Sequence, residues 1–222
     1  MIVRKSKSIR EQVYDKLKEM IANGEIKSGE RIVEVEYAEK FHTSRTPIRE
    51  AIRMLELEGF VEVNVKGGVT VTNITRKDIE DIYRIRIALE EIIIEEVIKL
   101  ATEKDLEKIA YLLEKTDEKI KEGDDPKGTF KLFTTFNDYL YDISKQERVV
   151  ELLTNLNSYL KRFRQVAVDY DVRKDEAQSQ HKAIYKALRE KNVELAKKIN
   201  KEHLETSRDF IIEKTIKKEE NI

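Results

Sequence analysis

Glycine and proline divide this chain into two regimes. Five of the seven glycines, Gly24, Gly29, Gly59, Gly67 and Gly68, fall within residues 24–68, and the other two, Gly123 and Gly128, bracket Pro126. These residues punctuate regular structure. Residues 1 to about 73 must therefore be short elements separated by turns. From about residue 76 onward the only break is at Gly123–Gly128, and long helices are expected. The reading is of two domains, 1–74 and 75–222, in a mainly α protein.

In the first regime, Ile9, Val13, Leu17 and Ile21 recur at helical spacing, flanked by Tyr14 and Met20, and the pattern stops at Asn23-Gly24. Val35 to Phe41 reads as a second short helix. Thr43-Ser-Arg-Thr-Pro47 opens a third, with Pro47 suited to a first turn and Ser44 or Thr46 placed to cap the free amides. Next come Val61-Glu-Val63-Asn-Val65, Lys66-Gly67-Gly68 and Val69-Thr-Val71. Alternation on both sides of Gly-Gly predicts a hairpin. Three short helices and a hairpin make a winged helix-turn-helix. The second regime opens with two capping boxes, Thr75-Arg-Lys-Asp78 and Thr102-Glu-Lys-Asp105. The first starts a helix over 78–101; further patterns cover about 129–144, 147–170, 173–190 and 192–215. About six helices predict a bundle.

Composition narrows the classes. Charged residues make up 39% and hydrophobic ones 40% of the 222 residues, as expected of a soluble globular protein. There is no cysteine, which excludes disulfides and thiolate metal sites and fits a cytoplasmic protein. No apolar run reaches membrane-spanning length, and Met1-Ile-Val-Arg-Lys-Ser-Lys lacks the apolar stretch of a signal peptide. The net charge is −1, so a nucleic-acid reading must rest on where the basic residues lie.

They lie in a row. Arg45, Arg49 and Arg53 are spaced by four, on one face of the third helix, with Ile48, Ile52 and Leu55 opposite. Such a helix suits the major groove, where Arg can bond guanine O6 and N7 and neutralise phosphate. Arg4, Lys5, Lys7 and Arg10 could add backbone contacts, and Lys66 at the hairpin tip could touch phosphate or the minor groove. A row of arginines can equally be a solvated face with ordinary ion pairs, Glu50 and Glu56 lying close in sequence.

Gly29-Glu-Arg-Ile-Val-Glu34, Ala38-Glu-Lys-Phe41, Ser44-Arg-Thr-Pro-Ile-Arg-Glu-Ala-Ile-Arg-Met-Leu-Glu-Leu-Glu-Gly-Phe-Val61 and Lys66-Gly-Gly-Val69 resemble the signature of the GntR family of transcription regulators. The resemblance implies that Arg45 and Arg49 read or clamp DNA, with Ser44, Thr46, Arg53 and Lys66 beside them, and that Gly67 lets the wing approach the minor groove. Val35 stands where some relatives carry a DNA-contacting arginine.

The second regime resembles the FCD type of sensor domain, six-helix subgroup, through Ile85-Arg86-Ile-Ala-Leu-Glu90, the segment after Phe136, and Gln180-His181-Lys-Ala-Ile184 to His203-Leu204. That resemblance implies a small-molecule effector, a carboxylate in many relatives, and a divalent metal such as zinc or nickel held by an Asp, a His four residues later and two further His. His181 and His203 are kept, but Phe133 and Asn137 occupy the other two positions. Phe cannot ligate, and an amide oxygen is a poor transition-metal ligand. The expected site is therefore an effector cavity lined by Asn137, His181 and His203, with Arg86 as charge partner and any metal weakly held. Arg162 and Arg164 are further anion candidates. Three hydrogen-bonded core residues would fit the same pattern.

The expected function is sequence-specific DNA binding by a homodimer at a near-palindromic operator, as a repressor tuned by an organic acid. The helix over 78–101 has more apolar circumference than one core face needs, and a two-fold dimer sets two recognition helices on successive groove faces. A metal-dependent helical enzyme or a helical adaptor without DNA binding are the alternatives. No nucleophile motif or phosphate loop supports the first, and neither forms a salt-dependent, sequence-specific complex with DNA.

Overall fold

The computed structural model describes residues 7–64, 67–73, 75–123, 125–167 and 171–216, and of 162–167, 171–172 and 215–216 the backbone alone. Lys66, Arg4 and Lys5, and the side chains of Arg162 and Arg164, lie outside the described residues. The chain divides into two compact units, Met1–Ile74 and Thr75–Ile222.

The first unit runs α1 (Ile9–Ala22), β1 (Arg31–Ile32), α2 (Glu34–Lys40), α3 (Arg45–Leu57), β2 (Val61–Val63) and β3 (Val69–Val71). A capping box starts α1: Ser8 and Glu11 satisfy each other's amides. Val13, Leu17, Met20 and Ile21 are buried, and α1 packs on α3. Ile9 belongs to the stripe by spacing yet is exposed, because its turn precedes the packed part of the helix. Ile48, Ala51, Ile52 and Leu55 of α3 complete this core. Leu17 and Leu55 are wholly buried, so truncating either to Ala would cost about 2–5 kcal/mol.

The hairpin belongs to a three-stranded antiparallel sheet of order β1-β3-β2. Two residues of strand carry no periodicity, so β1 leaves no trace in the sequence pattern. Val69 and Val71 face the core; in β2 Val61 does, while Val63 is exposed. Asn64 closes the wing, donating its amide to Gly68 O and accepting from the amides of Gly67 and Gly68. Gly67 has φ 75°, and a Cβ on Gly68 would lie 2.7 Å from the Asn64 amide nitrogen. Gly67 is thus required by its left-handed backbone, and Gly68 leaves room for the Asn64 amide that closes the turn.

The second unit contains α4 (Arg76–Leu100), α5 (Glu103–Glu122), α6 (Pro126–Ser144), α7 (Glu147–Ala167), α8 (Asp171–Arg189) and α9 (Val193–Ile211), the last continuing into a π-helical turn, Ile212–Ile216. Both anticipated capping boxes form, Thr75 with Asp78 and Thr102 with Asp105. The α6 helix begins earlier than the pattern suggests, because Asp125 caps it and Pro126 fills its first turn. The core joins Ile93 and Val97 of α4, Ile109 and Leu113 of α5, Phe136 and Leu140 of α6, Leu153 of α7, Ile184 and Leu188 of α8, and Ala196 of α9. The α4 helix packs against α6, α7 and α9. It therefore runs through the middle of the bundle, where polar side chains must find partners on neighbouring helices.

Candidate functional site

Two groups of side chains stand out, one in each unit. In the first, α3 buries Ile48, Ile52 and Leu55 and exposes Arg45, Thr46, Arg49 and Arg53. Ser44 occupies the N-cap with extended backbone, but neither it nor Thr46 makes a side-chain cap hydrogen bond, so the expected capping is not found. Ser44 is exposed, as is Gly67 at the wing. Beside the start of α3 lies an open groove of about 660 Å³, lined by Val35, Ala38, His42, Ser44 and Arg45 among others. His42 turns the chain between α2 and α3 at φ 51°, a left-handed conformation in which His is less rare than bulkier residues.

The arginines are not paired as their sequence neighbours suggest. Glu34, in the first turn of α2, accepts from Nη2 of Arg45 at 3.1 Å and from Nε of Arg49 at 2.7 Å, both on one carboxylate oxygen. Glu50 and Glu56 were the nearer candidates in sequence. The turn between α2 and α3 brings in Glu34 instead, which no sequence periodicity signals. Arginine offers five N–H donors, so each guanidinium keeps several for another acceptor.

In the second unit, Arg86 is only 1% exposed. It donates from Nη2 to Glu90 Oε1 at 2.8 Å, one helical turn on. Glu90 also accepts from the Tyr141 hydroxyl (3.2 Å) and from Asn200 Nδ2 (3.1 Å), and Asn157 donates to Tyr141 (3.3 Å). Burial pushes the Arg86 guanidinium down, and Glu90, Tyr83 and Tyr141 together more than offset this, so the net direction is up. Glu90 stands at i,i+4 from Arg86, a spacing that favours an ion pair, but it is one of many charges on α4 and nothing in the sequence marks it as buried. Its partners Asn200 and Tyr141 come from other helices.

Three buried donors around this pair have no hydrogen-bond partner among the described residues: Arg86 Nε, Arg86 Nη1 and the Tyr83 hydroxyl. The Arg86 guanidinium lies over the Tyr83 ring, 4.9 Å from its centroid, so the three belong to one locality. Buried donors are seldom left unmet in native proteins. Such a site suits a water or a ligand with acceptor oxygens.

His181 and His203 are brought together. Both are buried, with ring centroids 4.7 Å apart. Phe136 stacks on His181 at 4.5 Å, and Phe133 meets it edge-on at 5.1 Å. Nδ1 of His203 lies 2.9 Å from Oε1 of Gln180. Asn137, expected to point inward with the two imidazoles, is only half-buried. Asn200, which binds Glu90, stands one turn before His203 on α9, so the Arg86 network reaches the helix that carries His203.

These residues do not compose a transition-metal centre. Among the described residues, no group of three or more His, Asp or Glu side chains is arranged to hold a metal ion. Phe133 packs its ring at a steep angle to His181, at the position where the resemblance calls for a carboxylate. Two imidazoles without a carboxylate fall short of the three or four protein ligands that zinc takes. Nor is any helix among the described residues long and apolar enough to cross a membrane.

Comparison with known proteins agrees with this architecture. Residues 9–71 match the model described as bacterial regulatory proteins, gntR family, and residues 81–206 match the FCD domain. The chain is 37% identical, over 84% of its length and 83% of the other, to the uncharacterized HTH-type transcriptional regulator YdhC of Bacillus subtilis (strain 168). It is 34% identical over 46% of its length to the gluconate operon transcriptional repressor of the same organism, covering 43% of that protein. Its fold resembles that of E. coli McbR/YncC with a TM-score of 0.76 at 22% identity, over 94% of this chain and 99% of that one. The chain therefore belongs to the gntR family of bacterial transcription regulators, with an FCD domain as its second unit.

Proposed function

We propose that this regulator binds a near-palindromic operator as a cytoplasmic homodimer, represses transcription from it, and is tuned by a small organic acid held in the second unit. One observation carries the DNA assignment. The α3 helix buries its apolar row and turns Arg45, Arg49 and Arg53 outward, which is the disposition a major-groove helix needs. Arg45 and Arg49 make the principal base contacts; Arg53, Ser44, Thr46 and the wing at Lys66 and Gly67 position the phosphates. The gluconate operon repressor, similar over 46% of the chain, supports the repressor sign.

The α4 helix supports the dimer. Ile85 and Ile92, seven residues apart, are exposed on one face of it, more apolar surface than its core face requires. The three unmet donors at Tyr83 and Arg86 support the effector, since a carboxylate brings two oxygens able to accept several hydrogen bonds. His181, His203 and Asn137 form the rest of the lining. The metal that the resemblance implies finds too few ligands among the described residues, and no step of the proposed switch passes through it.

The test is binding to an operator selected from a random-sequence duplex pool. Arg45→Ala and Arg49→Ala should each weaken operator binding by about 1–3 kcal/mol and relax base preference. Unchanged affinity in both variants, in protein that melts as the parent does, would refute the assignment.

A further inference from the structure

We infer that Glu34 is a specificity-determining residue: it holds the Arg45 and Arg49 guanidinium groups in a shared, partly neutralised arrangement that favours base reading over phosphate capture. The inference rests on the proposal that these two arginines read DNA, and it adds a third residue that touches neither base nor phosphate.

The geometry is specific. One carboxylate oxygen of Glu34 receives Nε of Arg49 at 2.7 Å and Nη2 of Arg45 at 3.1 Å. The two arginines come from successive turns of α3; Glu34 comes from α2. Glu34 is the least exposed of the three, its side chain 24% accessible against 54% and 55% for the arginines. The carboxylate is thus the fixed point, and the guanidinium groups are the outward parts.

Two consequences follow. With Nε of Arg49 committed, its Nη1–Nη2 edge remains as a fork of parallel N–H groups, the form that meets guanine O6 and N7. An arginine side chain loses rotamer freedom when it engages a base, and an arginine already tethered loses less. The second consequence is electrostatic. Arg45, Arg49 and Glu34 together carry +1 rather than +2. Sequence-independent binding scales with phosphates neutralised, so the carboxylate weakens attachment to any DNA. Base reading, by contrast, needs the N–H groups that Glu34 leaves unused. One side chain thereby lowers the background and orders the signal.

The experiment uses the full-length protein with Glu34→Gln, which keeps the shape and an acceptor oxygen while removing the charge, and Glu34→Asp, which keeps the charge on a shorter stem. Affinities for the selected operator and for a scrambled duplex are measured over a salt series. E34Q should bind scrambled DNA several-fold tighter at low salt. Its log K against log [salt] slope should steepen by up to about one unit per bound protomer. The ratio of operator to scrambled affinity should fall roughly tenfold. E34D should restore the wild-type slope more fully than the ratio. A wild-type ratio and slope in E34Q would overturn the inference, and so would a parallel loss of both affinities with a lowered melting temperature, which marks a folding role. Arg49→Ala alone and combined with E34Q separates this from the parent reading. If R49A lowers operator affinity but the two substitutions act independently, only the role of Glu34 fails. If R49A and R45A are both silent, the arginine assignment itself fails.

Discussion

Removing the charge of Glu90 should do more damage than any other conservative change in the second unit. Arg86 is 1% exposed, and Glu90 is the carboxylate that accepts from it. Breaking a buried pair by removing one partner costs about 3–5 kcal/mol, because the survivor stays in a medium that solvates it poorly. The two partners are not equivalent survivors. Arginine cannot shed its proton in a protein, so Glu90→Gln strands a full charge. Glu90 left alone keeps Tyr141 and Asn200 as donors. Arg86→Met should therefore cost less than E90Q. Replacing both by apolar residues, R86M with E90L, should return most of the stability. The assay is scanning calorimetry of the full chain, following the transition of the unit Thr75–Ile222. For a unit of that size each kcal/mol moves the midpoint by about 2–4 °C, so E90Q should melt on the order of 6–20 °C lower. An E90Q midpoint within a degree or two of wild type would refute the reasoning, as would a double variant worse than E90Q.

Three further outcomes are expected. Ile85→Lys with Ile92→Lys should leave the melting temperature nearly unchanged, give monomers in light scattering at micromolar concentration, and weaken operator binding; a persistent dimer would remove α4 from the interface. Asp105 is held below the usual carboxylate range by hydrogen bonds from Thr102 and Tyr139, and Tyr139 is pushed up to about 12 by burial and by Asp105. A depressed carboxylate stabilises above its unfolded pKa and ceases to as pH falls through the folded value, so Asp105→Asn should flatten the loss of stability below about pH 4 and cost about 0.3–1.5 kcal/mol at neutral pH; an unchanged acid limb would contradict the capping role. Finally, prolonged chelation should leave both operator binding and any carboxylate-induced thermal shift intact, and one tightly held transition metal per chain in untreated protein would show that two imidazoles suffice.

What the sequence made legible was whatever depends on local pattern. The α3 helix declared itself through Pro47 and the opposed rows of Ile48, Ile52 and Leu55 against Arg45, Arg49 and Arg53. Thr75 with Asp78 and Thr102 with Asp105 marked where α4 and α5 open, although the helix expected over 78–101 runs Arg76–Leu100. The pairings across elements were hidden. Glu34 reaches Arg45 and Arg49 only because the α2–α3 turn folds back, and Asn200 meets Glu90 across 110 positions of sequence. The β1 strand is too short for any period, and the exposure of Val63 and Ile9 depends on where the core ends. Of the bundle site, the two histidines and Arg86 were read from resemblance, whereas the imidazole stack against Phe136 required coordinates.

Phe133 changes what a ligand in the bundle must satisfy. A metal holds an acid through a single large local charge, and the surrounding helices then have little to decide. In the proposed reading, recognition without it falls first to the unmet donors of Tyr83 and Arg86, and both lie on α4. That helix begins at Arg76, separated from β3 of the first unit by residues 72–75 alone. A ligand that binds two arrangements of α4 equally well shifts nothing, however tightly it binds. Leaving a buried donor unmet costs about 1–3 kcal/mol. A ligand that meets all three donors in one arrangement and one of them in the other would discriminate by about 2–6 kcal/mol. Carrying an equilibrium from 1:99 to 99:1 takes about 5.5 kcal/mol. At the upper end of that range the unmet donors of α4 would drive the proposed switch without a metal; below it, the rest of the lining must add to the discrimination.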